Sequence, residues 1–190
     1  MLTREQFIKA NYQKALNVTK GTGIFPETLL AMAVVESQGK GSDGNWYPGL
    51  GLVAREANNY FGIKASAAWK GLTIPLPTPG DADKISLFRV YETFEDSLKD
   101  FVNFLKVNPR YTRSGVFNSP DYPTQIVNIA RAGYAENPNY SNLITSVANK
   151  VKKLMADYIE PIKSNGKILP LLVTGLIITG YFIVKKMQTT

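Results

Sequence analysis

The chain alternates between helical periodicity and short punctuated stretches. Residues 3–19 place Ile8, Tyr12, Ala15 and Leu16 on one helical face, and Thr3 and Gln6 have the spacing of a capping box. A helix over about Thr3–Thr19 is expected, broken by Gly21-Thr22-Gly23. Pro26 suits a first helical position. The run Leu29–Val35 that follows is apolar on every side, which predicts a helix buried all round. It ends at Glu36, and Ser37–Ser42 reads as a flexible polar loop. Leu52–Ala57 fits a short helix halted at Asn58-Asn59.

Between Trp69 and Asp83 the chain carries Gly71, Pro75, Pro77, Pro79 and Gly80, which excludes a long helix. With Ile85–Tyr91 after it, the stretch predicts a small β-hairpin lobe. Helical spacing then returns. Thr93 can cap a helix striped by Phe94, Leu98, Phe101 and Leu105, which Asn108-Pro109 ends. Thr124–Ala132 predicts a short helix closed by Gly133. Leu143, Val147, Val151, Leu154 and Tyr158 predict a longer amphipathic one. The expected class is mostly α (α+β), with a small β lobe inserted after a buried helix.

The C-terminal part changes character. Ile168–Val184 carries no charge, and Lys163 and Lys167 precede it while Lys185 and Lys186 follow. As a helix it would span about 25 Å, short for a bilayer but workable with snorkelling lysines. The expected organisation is a folded domain over 1–158, a linker over 159–167, a single transmembrane helix over 168–184 and a basic tail over 185–190. The N-terminus has no apolar core of the kind a secretory signal peptide carries, so the chain reads as anchored by its C-terminal end.

Composition narrows the chemistry. The chain holds neither cysteine nor histidine. Thiol nucleophiles, Ser-His-Asp triads, disulfides and nearly all transition-metal sites are thereby excluded. Carboxylates, hydroxyls, amides and aromatic rings remain, and no metal or organic cofactor is implied. The net charge of +7 suits a polyanionic partner. No nucleic-acid recognition motif accompanies it, so nucleic acid is not expected.

Glu36 stands out among the acids. A carboxylate closing a buried apolar helix is partly desolvated, which raises its pKa and equips it to donate a proton to a leaving oxygen. Trp46, Tyr47, Tyr60, Phe61 and Trp69 crowd the following segment, and flat rings of this kind stack on sugars. Asn58-Asn59-Tyr60-Phe61-Gly62 mixes amides, rings and a glycine, as a groove wall does.

Four ordered blocks now resemble a known family. They are Met32–Ser37, Asn58–Lys64, Leu87–Tyr91 leading through Ser97 and Asp100, and Gly133–Tyr140. Over about residues 5–155 the chain is similar to the glucosaminidase family of bacterial cell-wall hydrolases, glycoside hydrolase family 73. The resemblance implies a lysozyme-like fold and cleavage of peptidoglycan after N-acetylglucosamine, as an endo-β-N-acetylglucosaminidase. It implies Glu36 as general acid, Tyr134 as the site tyrosine, and Asn59 and Phe61 on the groove. Tyr60, Trp69 and Tyr140 complete the expected sugar-binding set. The family's second acid falls in the β lobe, where Asp81 or Asp83 is the candidate; assistance by the substrate's own acetamido group is the alternative.

Two rivals share the scaffold: a lytic transglycosylase working with Glu36 alone, and a non-catalytic wall-binding or assembly protein. The expected partners are peptidoglycan strands and, through 168–184, a lipid membrane; no oligomeric state is implied. The lysines flanking the apolar run are nearly balanced and do not orient it. A catalytic domain facing peptidoglycan without a signal peptide suggests either an unusual export route or a place in the membrane of a lipid-containing phage virion.

Overall fold

The computed structural model describes residues 1–159, 162–164 and 167–169. Contacts divide the chain into Met1–Met155 and Ala156–Thr190.

The first unit is built around one buried helix. Helix α1 (Arg4–Thr19) starts at Thr3, whose hydroxyl accepts from the Gln6 amide while the Gln6 side chain accepts from the Thr3 amide. This is the reciprocal cap that the spacing predicted. Its buried face is Phe7, Ile8, Asn11, Ala15 and Thr19; Leu16, expected inside, is exposed. Phe7 and Asn11 rotate the stripe by one position. Asn11 sits inside because its side-chain amide donates to the Phe7 carbonyl at 3.0 Å.

Helix α2 (Pro26–Glu36) begins with Pro26 at the first turn and buries Thr28 through Val34 without interruption. Gln125 holds its start. The Gln125 Oε1 accepts from the Phe25 amide at 2.9 Å, and its Nε2 donates to the Gly23 and Val116 carbonyls at 2.7 and 2.9 Å. Around α2 pack α1 and the helices α4 (Phe94–Val107), α6 (Tyr122–Arg131) and α7 (Tyr140–Ile159). Each fully buried Leu or Ile there contributes roughly 1.5–3 kcal/mol of transfer free energy. Thr93 caps α4 as expected, its hydroxyl accepting from the Asp96 amide. The buried face of α7 is Tyr140, Ile144, Val147, Ala148, Val151 and Met155; Leu143 lies exposed beside it.

The segments that follow α2 and α4 shape the site. Ser37–Ser42 does not stay a loose loop. Strand β1 (Gly39–Lys40) pairs with β2 (Trp46–Tyr47), closed by Asp43, which accepts from the Asn45 amide and the Tyr47 hydroxyl. Helix α4 ends at Asn108-Pro109 as expected, but a second helix starts there. Asn108 is extended, as the residue before a proline is pushed to be, and Pro109 opens a new short helix α5 (Pro109–Arg113), followed by a 3₁₀ turn at Val116–Asn118.

Helix α3 (Leu52–Ala57) matches its expected span. The β lobe is the antiparallel pair β3 (Thr73–Thr78) and β4 (Asp81–Arg89). Leu87 and Arg89 turn their polar groups toward Ile63–Ala65, where Ala65 N–H donates to Leu87 O and Arg89 N–H to Ile63 O. The alternate residues Ser86 and Phe88 therefore face β3. Their partners are Leu76 and Ile74, so Pro75 and Pro77 direct their missing N–H groups to the unpaired edge. Val53, Leu76 and Phe88 form a small core fastening the lobe to α3.

In the second unit, strands β5 (Ile162–Ser164) and β6 (Lys167–Leu169) pair antiparallel across the end of the segment read as a linker. Ile168 and Leu169, expected to open the membrane helix, belong to β6; Asn165-Gly166, the dipeptide favoured in two-residue hairpins, lies between the strands in sequence. The rest of the expected span, 170–184, and the tail 185–190 lie outside the described residues. Among the described residues no helix is long and apolar enough to cross a membrane.

Candidate active site

Glu36 is the last residue of α2, so its position is fixed by the most deeply buried helix of the fold. Beyond it the chain is pinned at once. The Ser37 hydroxyl donates to the Ala33 carbonyl at 2.6 Å and accepts from the Gly49 amide at 2.8 Å. Gly39 has no room for a side chain: a Cβ there would lie 2.4 Å from the Leu50 carbonyl. The small β1–β2 hairpin thus closes tightly under the carboxylate.

The groove extends on both sides of Glu36. One stretch, of about 630 Å³, is lined by Glu36, Gln38, the start of α3 (Gly51–Ala54), Phe61, Gly62 and the hairpin tip Pro77–Ala82. The other, of about 330 Å³, is lined by Glu36, Phe61–Lys64, Phe104, Arg110 and Tyr134. Glu36, Phe61 and Gly62 belong to both. Phe61 is a rigid shared wall because its ring stacks on Phe101 at 3.9 Å between centroids, 5° from parallel.

The Glu36 carboxyl opens onto this groove and is reached by solvent, yet it sits low among the surrounding side chains. That burial raises its pKa above the ordinary glutamate value, and the Tyr140 hydroxyl only partly opposes the shift by donating to Oε1 at 2.6 Å. The C-terminal end of a helix disfavours the anion further. Tyr134 follows Gly133, whose φ of 80° suits a residue without a side chain. The Arg110 guanidinium donates to the Gly133 carbonyl at 3.1 Å and fixes this turn. Burial, followed by the charge of Glu36, raises the Tyr134 phenol well above its usual value. Tyr134 is therefore a neutral phenol in the groove, able to donate or accept a hydrogen bond.

The sequence candidates fall in three groups. Glu36, Asp81, Phe61 and Tyr134 line the groove. Tyr140 is placed behind Glu36, with its ring 5.7 Å from that of Tyr134. Asp83, Asn59, Tyr60 and Trp69 do not line these two stretches. Asp83 is exposed on β4, past the tip. Asn59 is buried inside the fold. Its Nδ2 donates to the Ile63 and Arg89 carbonyls and its Oδ1 accepts from the Ile63 amide, so it holds the Phe61–Gly62 turn rather than a ligand. Tyr60 packs on Phe7 and Phe94. Trp69 carries the Arg89 guanidinium over its ring at 4.5 Å and donates its indole N–H to the Leu72 carbonyl.

Gln38, Phe104, Arg110 and the first turn of α3 line the groove without having been singled out from sequence. Arg110 lies on a short helix that the sequence reading did not propose; Pro109, which suits a first helical turn, was the available signal. Among the described residues no cluster of acids could hold a metal ion.

Known proteins are similar to this chain in sequence and in fold. Residues 12–153 match the sequence profile of the glucosaminidase family, described as mannosyl-glycoprotein endo-beta-N-acetylglucosaminidase. The peptidoglycan hydrolase FlgJ of Vibrio parahaemolyticus is 31% identical over 79% of this chain and 48% of its own length. That of Salmonella typhimurium is 33% identical over 70% of this chain and 42% of its own. The chain thus spans less than half the length of these curated relatives. The solved glycoside hydrolase domain of Salmonella typhimurium FlgJ superposes with a TM-score of 0.62 at 28% identity, over 83% of this chain and 96% of that domain. A lysozyme-like framework of helices, a hairpin lobe over a groove, and a matched segment running from Tyr12 in α1 to Lys153 in α7 make this chain a member of the glucosaminidase family of glycoside hydrolases.

Proposed function

We propose that the domain hydrolyses the glycan strands of peptidoglycan at N-acetylglucosamine, as an endo-β-N-acetylglucosaminidase, with Glu36 as the general acid. The observation that carries this reading is a single raised-pKa carboxyl at the point shared by both stretches of an open groove. A groove open on both sides of the acid suits an internal bond of a polymer.

Protonated Glu36 gives its proton to the glycosidic oxygen as the C1–O bond breaks, and the departing sugar leaves as an alcohol. Positive charge develops at C1 and the ring oxygen. Either the Asp81 carboxylate on the hairpin tip activates a water for attack at C1, or the acetamido oxygen of the substrate attacks first and water opens the resulting ring. Asp81 is the better placed of the two lobe acids because it lines the groove and Asp83 does not. Tyr134 holds the acetamido group or the water by hydrogen bonding. After the first departure Glu36 is a carboxylate, and Tyr140 stabilises it by donating to Oε1.

The uncharged run that continues past β6, residues 170–184, is proposed to anchor the domain to a lipid bilayer, with the catalytic part toward peptidoglycan, in a cell membrane or in that of a virion. Its support is the uncharged stretch between paired lysines. Flotation of the full chain with liposomes, lost on deleting 168–190, tests it.

Mass spectrometry of fragments from purified peptidoglycan tests the chemistry. New reducing N-acetylglucosamine ends that vanish with Glu36→Gln are expected. Anhydro-muramic ends would assign the chain to the transglycosylases, and unchanged peptidoglycan would leave a binding role.

A further inference from the structure

The two stretches of groove that meet at Glu36 differ in charge. Beyond Glu36, the larger one has Asp81 as its only charged residue. The smaller one is lined by two cations, Lys64 and Arg110, with Glu36 its only acid. Among the described residues neither cation pairs with a carboxylate. Arg110 spends its donors on the Gly133 carbonyl and the Tyr111 hydroxyl, both uncharged, and lies over the Tyr111 ring at 4.7 Å. Lys64 makes no side-chain hydrogen bond or ion pair among the described residues, while its backbone is fixed by a bridge to Phe88. Arg110 is thus held by uncharged partners and Lys64 through its backbone alone, and both line the groove. The volume of about 330 Å³ is at the low end for ligand pockets and is of the size of one sugar unit with a substituent.

We propose that the Lys64–Arg110 end of the groove is a subsite for a carboxylate-bearing unit of the glycan. This subsite fixes which way the strand lies across Glu36. The inference rests on the proposed peptidoglycan substrate, in which neutral N-acetylglucosamine alternates with a sugar carrying a lactyl ether. The carboxylate has two sources: the lactyl group itself where no peptide is attached, and the acidic residues of the peptide stem where one is. A strand laid in the opposite direction or register would put its neutral sugar against the cations and its anion against Asp81. Charge complementarity selects orientation and partner more than it adds affinity.

Binding separates this inference from the activity. The full chain carrying Glu36→Gln is titrated calorimetrically with three probes: peptide-free glycan strands, peptide-bearing disaccharides and the neutral N-acetylglucosamine tetramer. Adding Lys64→Gln is expected to raise Kd for carboxylate-bearing probes about twofold to fivefold, the scale of one exposed ion pair. Lys64→Glu is expected to raise it further, Lys64→Arg to restore it, and the neutral tetramer to change less than the anionic probes. Loss confined to peptide-free strands identifies the lactyl carboxylate; loss confined to peptide-bearing probes identifies the stem. An equal change on the neutral tetramer, no change on any probe, or failure of all three to bind overturns the subsite. Cleavage of peptidoglycan by the wild-type chain, measured in parallel, bears on the hydrolase reading alone.

Discussion

Replacing Tyr140 by phenylalanine removes one hydroxyl and leaves a ring that is 7% exposed and packed beside Tyr134. That hydroxyl donates to Glu36 Oε1 at 2.6 Å, so it stabilises the carboxylate over the acid. A hydrogen bond to a charged group contributes about 1.5–3 kcal/mol. Glu36 is open to the groove, where water can take the vacated place, so about half of this range is the reasonable loss. At 1.36 kcal/mol per unit, the Glu36 pKa should rise by about one unit in the variant. A general acid works while protonated, so the alkaline limb of kcat/KM reports this group in the free enzyme. Tyr140→Phe is therefore expected to move that limb up by about one pH unit and to lower the plateau, since a weaker acid transfers its proton less readily. The measurement is a pH profile of glycan-strand cleavage for both proteins. A limb that stays put, or moves down, would refute the assignment of the Tyr140 bond as a control on Glu36. A fixed limb with a raised KM would make Tyr140 a substrate contact, as the sequence alone suggested.

Glu36→Gln should lower kcat by about 10²–10⁴-fold, the range for a lost general acid. The same variant should melt higher than wild type at neutral pH. The raised Glu36 pKa means that the folded state holds its proton more tightly than the unfolded chain, so wild-type stability falls as pH rises from the ordinary glutamate value through the raised one. The advantage of glutamine should vanish below that ordinary value, and thermal melts across pH check it. Asp81→Asn should reduce turnover by about 10²-fold if Asp81 is the base, with Asp83→Asn nearly unaffected; equal losses would remove Asp81 from the reaction. Gln125→Leu leaves the Phe25 amide and the Gly23 and Val116 carbonyls without their partner. It should cost about 3 kcal/mol of stability, read by denaturant unfolding, because buried polar groups lose their bonds.

Elements with a strong local cause were legible in the sequence. The Thr3 cap, the Pro26 start, the span of α3 and the Thr93 cap depend on residues within a turn of one another. Position within the stripe was less legible. Leu16 and Leu143 are as apolar as their buried neighbours, and only the packing of α2 decides which row faces inward. The acid itself was readable because a carboxylate closing an all-apolar helix is conspicuous. The roles of Asn59 and Tyr140 were not: Tyr140 acts through Glu36, far along the chain, and Asn59 joins a local turn at Ile63 to the distant Arg89 carbonyl. A groove-lining arginine on a five-residue helix leaves no periodicity to find.

The prolines of β3 carry a consequence beyond the fold. The lobe exposes Ile85 and Leu87 beside a strand edge that has no neighbour among the described residues, the combination that invites another chain to add a strand. Pro75 and Pro77 leave that edge without donors where an incoming strand would seek them. The exposed apolar pair can thus stay on the lobe without one copy of the domain adding its strand to another.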